Sequence, residues 1–123
     1  MDRPTISAVV ITLNEEEDIA DCLESVRWVD EVIVVDAQSA DRTVEIAKKY
    51  TDEVFVRPWE GYGPQRNFGF DRATGDWILW IDADERVTPE LAAEIQEALP
   101  NAGGVQVFGI PFRNFMFGRW MRN

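Results

Sequence analysis

Asp82 and Asp84 are the side chains of this chain best suited to chemistry. They close an apolar run that begins at Trp77, and a single residue separates them. Successive strand residues point to opposite faces of a sheet, so residues two apart share one side if the strand continues through them. Carboxylate oxygens suit Mg²⁺ or Mn²⁺, and these ions keep coordination positions open for phosphate oxygens. The spacing favours a metal site for a diphosphate, with an acidic surface turn as the alternative.

Further polar clusters stand at the ends of two other apolar runs. The first run, 6–13, leads into polar residues around Asn14, and the second, 31–36, ends on Asp36. Ligands of open α/β sheets bind outside the carboxyl ends of the strands. The sequence therefore predicts one site along this edge, with candidate residues Thr12, Asn14, Glu15, Asp36, Asp82 and Asp84.

The sheet that must position these residues is predicted from an alternation of strand and helix patterns. Apolar runs rich in β-branched residues favour strands, and apolar residues at helical spacing favour helices. Repeated strand–helix units imply an open, mostly parallel α/β sheet. Strands are expected at 6–13, 31–36 and 54–57, in a run that ends at Asp82, and at 105–112.

Capping residues predict where the helices begin. Asn14 offers a cap for the first helix, with Glu17 in the capping-box position, and Ser39 or Asp41 offers a cap for the second. Thr88 is followed by a proline and a first-turn acid, which is a strong start for the fourth. The third helix is expected near 65–73, and the fourth is expected to bury Leu91, Ile95 and Leu99.

Composition excludes several classes of function. A net charge of −11 argues against a general nucleic-acid binder, which carries a basic face. The absence of histidine excludes His-based triads, His-ligated zinc and imidazole acid–base catalysis. The single cysteine, Cys22, cannot form an internal disulfide, and its helical context favours a buried side chain over a nucleophile.

The compartment is predicted from what the sequence lacks. We find no signal-peptide pattern and no apolar run near the roughly 20 residues that span a bilayer. We therefore expect a cytoplasmic location. Peripheral contact with the inner face of the cytoplasmic membrane is compatible with this expectation.

Four motifs in order resemble the N-terminal half of a family-2 glycosyltransferase of GT-A fold. The resemblance implies an open, mostly parallel sheet flanked by helices, a nucleotide-sugar donor, a glycan or lipid-linked acceptor, Mn²⁺ or Mg²⁺, and transfer with inversion. The sequence departs from the family at Gln38, where glycine is usual, and at Ala40. The motifs are ITLNEE at 11–16, DAQSADRT at 36–43, QRNFG at 65–69 and GDWILWIDADE at 75–85.

The resemblance also assigns roles to individual residues. Asp36 matches the position that contacts the base or ribose of the donor, with a strand-end cap as the alternative. Arg66 matches a basic position near the donor phosphates, with an exposed helix charge as the alternative. Asp84 matches the metal ligand, and Asp82 matches a contact to the ribose or to metal-bound water. Asp41, with Thr43, is expected to be mainly structural.

An inverting transfer needs a carboxylate base, and the sequence offers no Asp or Glu after Glu97, which is expected on the outer face of its helix. We therefore expect 1–111 to be a donor-binding half-domain. The basic, aromatic segment 112–123 is expected to lead into a missing acceptor and catalytic half, so that the fold is incomplete at the C-terminus.

The segment 112–123 resembles one found in relatives that modify lipopolysaccharide core. Its arginines and aromatics suit either an anionic lipid-linked acceptor at a membrane surface or packing under the missing half, and packing is favoured. In that case the chain exposes an apolar patch, which favours self-association. Trp59 and Tyr62 are suited to stacking on a sugar or base, but packing within the core or a loop is the expected role.

Two alternatives to a transferase remain. For the isolated chain the sequence favours a non-catalytic fragment that binds a nucleotide sugar or a metal, because the base is absent, while the parent polypeptide would be the transferase. A haloacid-dehalogenase-type phosphotransferase would use Asp82 as its nucleophile, but that motif belongs near the first strand of its fold. Dinucleotide dehydrogenases are excluded because the Gly-x-Gly-x-x-Gly pattern is absent.

Overall fold

The computed structural model describes residues 5–98, 107–109 and 116–118. These residues form one mixed sheet with helices on both faces. The strands are β1 (Ile6–Thr12), β2 (Glu31–Asp36), β3 (Val54–Val56), β4 (Trp77–Asp82), β5 (Val107–Gly109) and β6 (Met116–Gly118). The helices are α1 (Ile19–Glu24), α2 (Thr43–Ala47), α3 (Tyr62–Arg72) and α4 (Pro89–Ala98).

The strand order is β3-β2-β1-β4-β6-β5. The first four strands are parallel, whereas β6 runs antiparallel to both β4 and β5. In register, Thr12 of β1 pairs with Asp36 of β2, and Ile11 pairs with Asp82 of β4. The predicted open, mostly parallel α/β sheet is confirmed, and the register brings the predicted site residues to one edge.

Alternate residues of the strands build two cores on opposite faces of the sheet. Ala8 and Val10 of β1 pack with α1, α2 and α4, as do Trp77, Leu79 and Ile81 of β4. Val9 and Ile11 face the other way, toward the α3 side. Because both faces are covered, β1 is buried along its whole length, as its unbroken apolar run predicted.

Helix α3 lies close to the sheet at Gly69. A Cβ atom built at this position would lie 2.5 Å from Cγ1 of Val9 and 3.2 Å from Cγ2 of Val35. Both distances are shorter than ordinary van der Waals contact, so the absence of a side chain sets the distance between α3 and the sheet.

The predicted cap of α1 is wrong, whereas α2 uses one of its two predicted caps. Helix α1 begins at Ile19 rather than after an Asn14 cap, and Asn14 has a left-handed backbone with φ of 53°. Ser39 does not cap α2, because its hydroxyl donates to Asp36, although Asp41 accepts the Thr43 amide as a first-turn partner. The Asn14 amide instead donates to the Ser39 hydroxyl, which joins the loop after β1 to the loop after β2.

Helix α4 begins as predicted, since the Thr88 hydroxyl accepts the Leu91 amide at 3.1 Å. Leu91 and Ile95 are buried, and Glu97 is exposed as expected. Helix α3 begins at Tyr62, three residues earlier than predicted, because proline is tolerated in a first helical turn. Leu99 and most of the predicted strand 105–112 lie outside the described residues. Within those residues, no helix is long and apolar enough to cross a membrane.

Candidate functional site

A cleft of about 450 Å³ lies at the edge where the parallel strands end. Of the predicted site residues, Thr12, Glu15, Asp82 and Asp84 line it. Asn14, Asp36 and Arg66 are not part of its lining. Leu13, Trp59 and Tyr62 supply an apolar wall.

The turn after β4 brings Asp82 and Asp84 to the cleft. The strand ends at Asp82 and does not continue through Asp84, so a turn, and not strand alternation, sets the relative placement of the two carboxylates. The Glu85 amide donates to the Asp82 carbonyl at 3.0 Å, which closes a tight turn. The turn leaves Asp84 exposed and Asp82 half-buried.

Glu85 is a buried residue beside the acidic pair, and the sequence predicted no role for it. Its side chain is buried, with 6% of its surface exposed, and one carboxylate oxygen accepts the Asp82 amide at 3.2 Å. Its other oxygen has no hydrogen-bond partner in the described part of the chain. Glu85 therefore positions the turn that carries Asp82 and Asp84. Its position next to Asp82 and Asp84 in the sequence is the feature that could have indicated this role.

Negative charge accumulates along one wall of the cleft. Burial raises the pKa of Glu15, and the charges of Asp84, Asp18 and Asp82 raise it further. Among the described residues, no group of three Asp, Glu or Cys side chains is placed to hold a metal ion alone. A divalent ion at this wall would therefore share its shell between Asp82 or Asp84 and oxygens from a ligand or water.

Asp36 is fully buried at the end of β2 and organises the loop that follows. Its carboxylate accepts hydrogen bonds from the Thr12 hydroxyl at 2.6 Å, the Ser39 hydroxyl at 2.6 Å and the Ser39 amide at 2.7 Å. Gln38 adopts a φ of 61°, which explains why glycine is usual at that position. These hydrogen bonds give Asp36 a structural role beside the cleft, and its contact with the base or ribose of a donor stays a prediction.

The loop after β1 is fastened to the loop after β2. The Asn14 amide donates to the Ser39 hydroxyl at 2.8 Å, and the Asn14 side-chain oxygen accepts the Ala40 amide at 2.8 Å. The Glu15 amide donates to the Thr43 hydroxyl at 2.8 Å. Asn14 therefore acts from behind the cleft, by fixing the segment that carries Glu15.

Asp41 and Thr43 have the structural role expected of them. Asp41 accepts from the Thr43 hydroxyl and amide and from the Glu16 amide. The hydrogen bond from the Thr43 hydroxyl is the main reason that the pKa of Asp41 is lowered. These contacts hold the two loops together next to the cleft.

Arg66 lies on α3, half-buried and away from the cleft lining. Its guanidinium lies 5.1 Å from the centre of the Trp80 ring and 6.0 Å from that of Phe70. Gln65, beside it, is fully buried, and both polar atoms of its amide lack partners among the described residues. The sequence reasoning gave Gln65 no role, although it opens the motif 65–69.

Trp59 and Tyr62 do not pack into the core, but they pack on each other in the segment after β3, which agrees with the loop packing that was expected. Their exposed fractions are 44% and 61%, and their rings meet edge to face with centroids 4.9 Å apart. By contrast, Cys22 is fully buried and its Sγ lies 3.7 Å from the Asp82 carbonyl oxygen. Burial, with Glu85 nearby, raises the Cys22 pKa to about 12, so this thiol is a core side chain as predicted.

A second cleft of about 510 Å³ lies at the opposite end of the strands, where they begin. Its carboxyl pair, Glu31 and Glu53, shares a hydrogen bond. Burial raises the Glu31 pKa, but hydrogen bonds from Ser7 and Thr74 outweigh burial and lower it overall. Burial and the neighbouring Glu31 raise the Glu53 pKa to about 7. None of the predicted site residues lies in this cleft.

Comparison with known proteins identifies the family. The family described as Glycosyl transferase family 2 matches residues 7–123. An uncharacterised glycosyltransferase of Rickettsia felis is 50% identical over 92 residues, which cover 74% of this chain and 32% of that protein. The lipopolysaccharide core biosynthesis glycosyltransferase LpsC of Rhizobium meliloti is 30% identical over 118 residues, 92% of this chain and 44% of that protein.

Solved structures show the same fold. Glucosyl-3-phosphoglycerate synthase of Mycobacterium tuberculosis, crystallised with Mn²⁺, UDP and glucosyl-3-phosphoglycerate, superposes with a TM-score of 0.65 at 26% identity, over 85% of this chain and 42% of that one. TarS of S. aureus, in complex with UDP-GlcNAc, gives a TM-score of 0.63 at 30% identity, over 76% and 30%. The chain therefore spans under half the length of these relatives. With its GT-A fold and the four motifs in order, the chain belongs to glycosyltransferase family 2.

Proposed function

We propose that the cleft at the carboxyl edge of the sheet binds a nucleotide-sugar donor, whose sugar an inverting transferase passes to a glycan or lipid-linked acceptor. The observation that supports this most is the convergence of Glu15, Asp82 and Asp84 on a cleft beside an apolar wall. Charged and apolar surfaces side by side match a ligand with a diphosphate and a flat ring. The structural neighbours crystallised with UDP have the same fold.

The residues of the acidic wall fit a divalent ion. Their oxygens are hard ligands. Burial is the main reason that the Glu15 pKa is raised, and the charges of Asp84, Asp18 and Asp82 raise it further, so a cation here would relieve part of that repulsion. We propose that Asp84 holds Mn²⁺ or Mg²⁺, with Asp82 next to it. When bound, such an ion neutralises the charge of the departing nucleoside diphosphate.

The other candidate residues of the site are proposed to orient the donor. Asp36 and Asn14 hold the two loops that place Thr12 and Glu15 in the cleft. Arg66 is proposed to act near the diphosphate, as the family resemblance implies, although it lies against Trp80 in the described geometry. These residues bind and position, and none of them is proposed to remove a proton from the acceptor.

The general base is proposed to belong to the part of longer relatives that this chain does not span. The three carboxylates of the cleft are assigned to the donor and its ion, and the sequence has no acid after Glu97. On its own the chain is therefore proposed to bind the donor without turnover, with 1–111 as the donor-binding half and 112–123 leading toward the acceptor site. Peripheral membrane contact, self-association and a cytoplasmic location remain predictions.

A calorimetric titration tests donor binding. The chain is titrated with UDP and with GDP, each with and without Mn²⁺, beside Asp84→Asn. The control, Glu94→Gln, makes the same carboxylate-to-amide change on the exposed side of α4. We expect one nucleotide to bind in the presence of Mn²⁺ and Asp84→Asn to weaken it at least about tenfold, while Glu94→Gln leaves it unchanged. A cooperatively folding chain that binds neither nucleotide at millimolar concentration would refute the proposal.

A further inference from the structure

We propose that Trp59 and Tyr62 form the wall that binds the face of the donor nucleobase and fix its position relative to the acidic wall. This inference rests on the proposed function, because it requires a nucleoside diphosphate in the cleft. It concerns two residues for which the motifs provided no role.

The exposure of these two rings at the cleft supports their contact with a ligand. The large exposed apolar side chains of the described chain are Leu13, Val56, Trp59 and Tyr62, and all except Val56 line this cleft. Leaving aromatic surface in water forgoes the free energy that burial would supply. Three such side chains around one cleft indicate an apolar ligand surface that covers them.

The restraint on the segment that carries the rings is a second argument. The Arg57 amide donates to the Asp36 carbonyl at 2.9 Å, and its guanidinium donates to the Pro64 carbonyl at 3.3 Å. The same guanidinium pairs with Glu60 at 2.8 Å and lies over the Phe68 ring at 4.7 Å. Arg57 thus links the two ends of 58–64, which restrains the segment that carries the rings.

The geometry of the sheet separates the aromatic wall from the acidic one. Trp59 and Tyr62 follow β3, whereas Asp82 and Asp84 follow β4, and the ends of β2 and β1 lie between them in the strand order. A ligand with its diphosphate at the acidic wall therefore extends across the end of β1 toward the rings. The rings are placed to contact the group joined to the diphosphate, not the phosphates themselves.

The chemistry of the wall favours a nucleobase over a sugar. A sugar ring carries hydroxyls around its whole rim and needs several hydrogen-bond partners. The wall formed by Leu13, Trp59 and Tyr62 offers only an indole N–H and a phenol hydroxyl as side-chain polar groups. A nucleobase has two flat faces without polar groups, and such faces stack on aromatic side chains whatever the base.

Three variants test the wall: Trp59→Ala, Tyr62→Ala and Tyr62→Phe, with Val56→Ala as the control, because Val56 is 52% exposed and lies outside the cleft. Each is titrated, in Mn²⁺, with UDP or GDP, whichever binds the parent chain, and with inorganic pyrophosphate. We expect the two alanine variants at the rings to weaken nucleotide binding about fivefold or more and to leave pyrophosphate binding unchanged. Tyr62→Phe and Val56→Ala are expected to bind like the parent.

The other outcomes separate the two proposals. If the alanine variants weaken the binding of nucleotide and of pyrophosphate equally, or weaken neither, the inference about the aromatic wall is refuted and the proposed donor site is unaffected. Weakening seen with UDP-GlcNAc but not with UDP overturns it in favour of a sugar contact. If the parent binds neither UDP, GDP nor pyrophosphate, the proposed function itself fails. Thermal melts of all variants verify that they fold, which the exposure of the replaced rings leads us to expect.

Discussion

At the scale of single residues, Asp36 shows that a buried carboxylate can stabilise the loops around a cleft without lining the cleft itself. Its buried carboxylate accepts from two hydroxyls and one amide, so three donors depend on it. Hydrogen bonds to a charged acceptor contribute about 1.5–3 kcal/mol each, and an unpaired buried donor costs a comparable amount. Removing this charge should therefore loosen the loop after β2.

We expect Asp36→Asn to destabilise the chain by about 2 kcal/mol, because the amide nitrogen places a donor where Thr12 or Ser39 also donates. Urea unfolding followed by circular dichroism measures the change. The matched variant Asp52→Asn, at an exposed position, should change stability by less than about 0.5 kcal/mol. Equal stability of the two variants would show that Asp36 does not organise this loop.

Glu53 leads to a prediction of pH dependence. Its pKa is raised from an ordinary value of 4.5 to about 7, so between these values the folded chain holds a proton that the unfolded chain lacks. Stability must then fall as pH rises through this window and level off above it. Glu15 adds a change of the same sign.

Urea midpoints measured from pH 5 to pH 8 should therefore decrease for the parent chain and decrease much less for Glu53→Gln. The amide mimics the protonated carboxyl beside Glu31 at every pH. The control is Glu97→Gln, at an exposed position on α4, which should follow the parent. If Glu53→Gln keeps the full slope, the pair does not share a proton.

At the scale of elements, the packing of α3 on the sheet depends on one missing side chain. Gly69→Ala would bring a Cβ to 2.5 Å from Val9, whereas a Cβ at Gly63, in the same helix, meets no atom within 4 Å. We expect Gly69→Ala to destabilise the chain by about 1–3 kcal/mol and Gly63→Ala to be neutral or stabilising by up to about 1 kcal/mol. Urea unfolding compares them, and similar losses for both would mean that α3 does not pack as described.

Elements were predictable where their signals are local. The apolar runs placed β1, β2 and β4 correctly, and the Thr88 cap placed the start of α4. The Asn14 capping box was wrong because the partners of Asn14 are Ser39 and Ala40, 25 and 26 residues away. A polar residue that can cap a helix can equally bind a distant loop, and the sequence alone does not decide between them.

At the scale of the whole molecule, the register of the sheet assembles the candidate site. The order of the strands could not be predicted from the sequence. Polar residues at the carboxyl ends of parallel strands nevertheless predicted a site at one edge of the sheet, and Thr12, Glu15, Asp82 and Asp84 do line one cleft. The sequence did not decide between a donor contact and a strand-end cap for Asp36, or between stacking and packing for Trp59 and Tyr62. Both depend on how loops from β1, β2 and β3 pack together, which no local pattern encodes.

Carboxylates lie at both ends of the sheet, so the end where the strands begin is an internal control for specific cation binding at the other end. Glu31 and Glu53 lie where β2 and β3 begin, and Asp82 lies where β4 ends, so a strand of about six residues, roughly 20 Å, separates the two clefts. Unspecific attraction of a cation to acidic groups would involve both ends. A donor site involves the carboxyl edge alone.

The most direct test is therefore paramagnetic broadening of backbone amide resonances by Mn²⁺ together with UDP, or with GDP if that nucleotide is the one that binds. We predict that broadening is strongest at 12–15 and 82–85 and falls off with distance, that it is much weaker at the amides of Glu31 and Glu53, and that Asp84→Asn loses the effect. Broadening centred on Glu31 and Glu53, or none at 82–85, would contradict the assignment of the carboxyl-edge cleft as the metal and donor site.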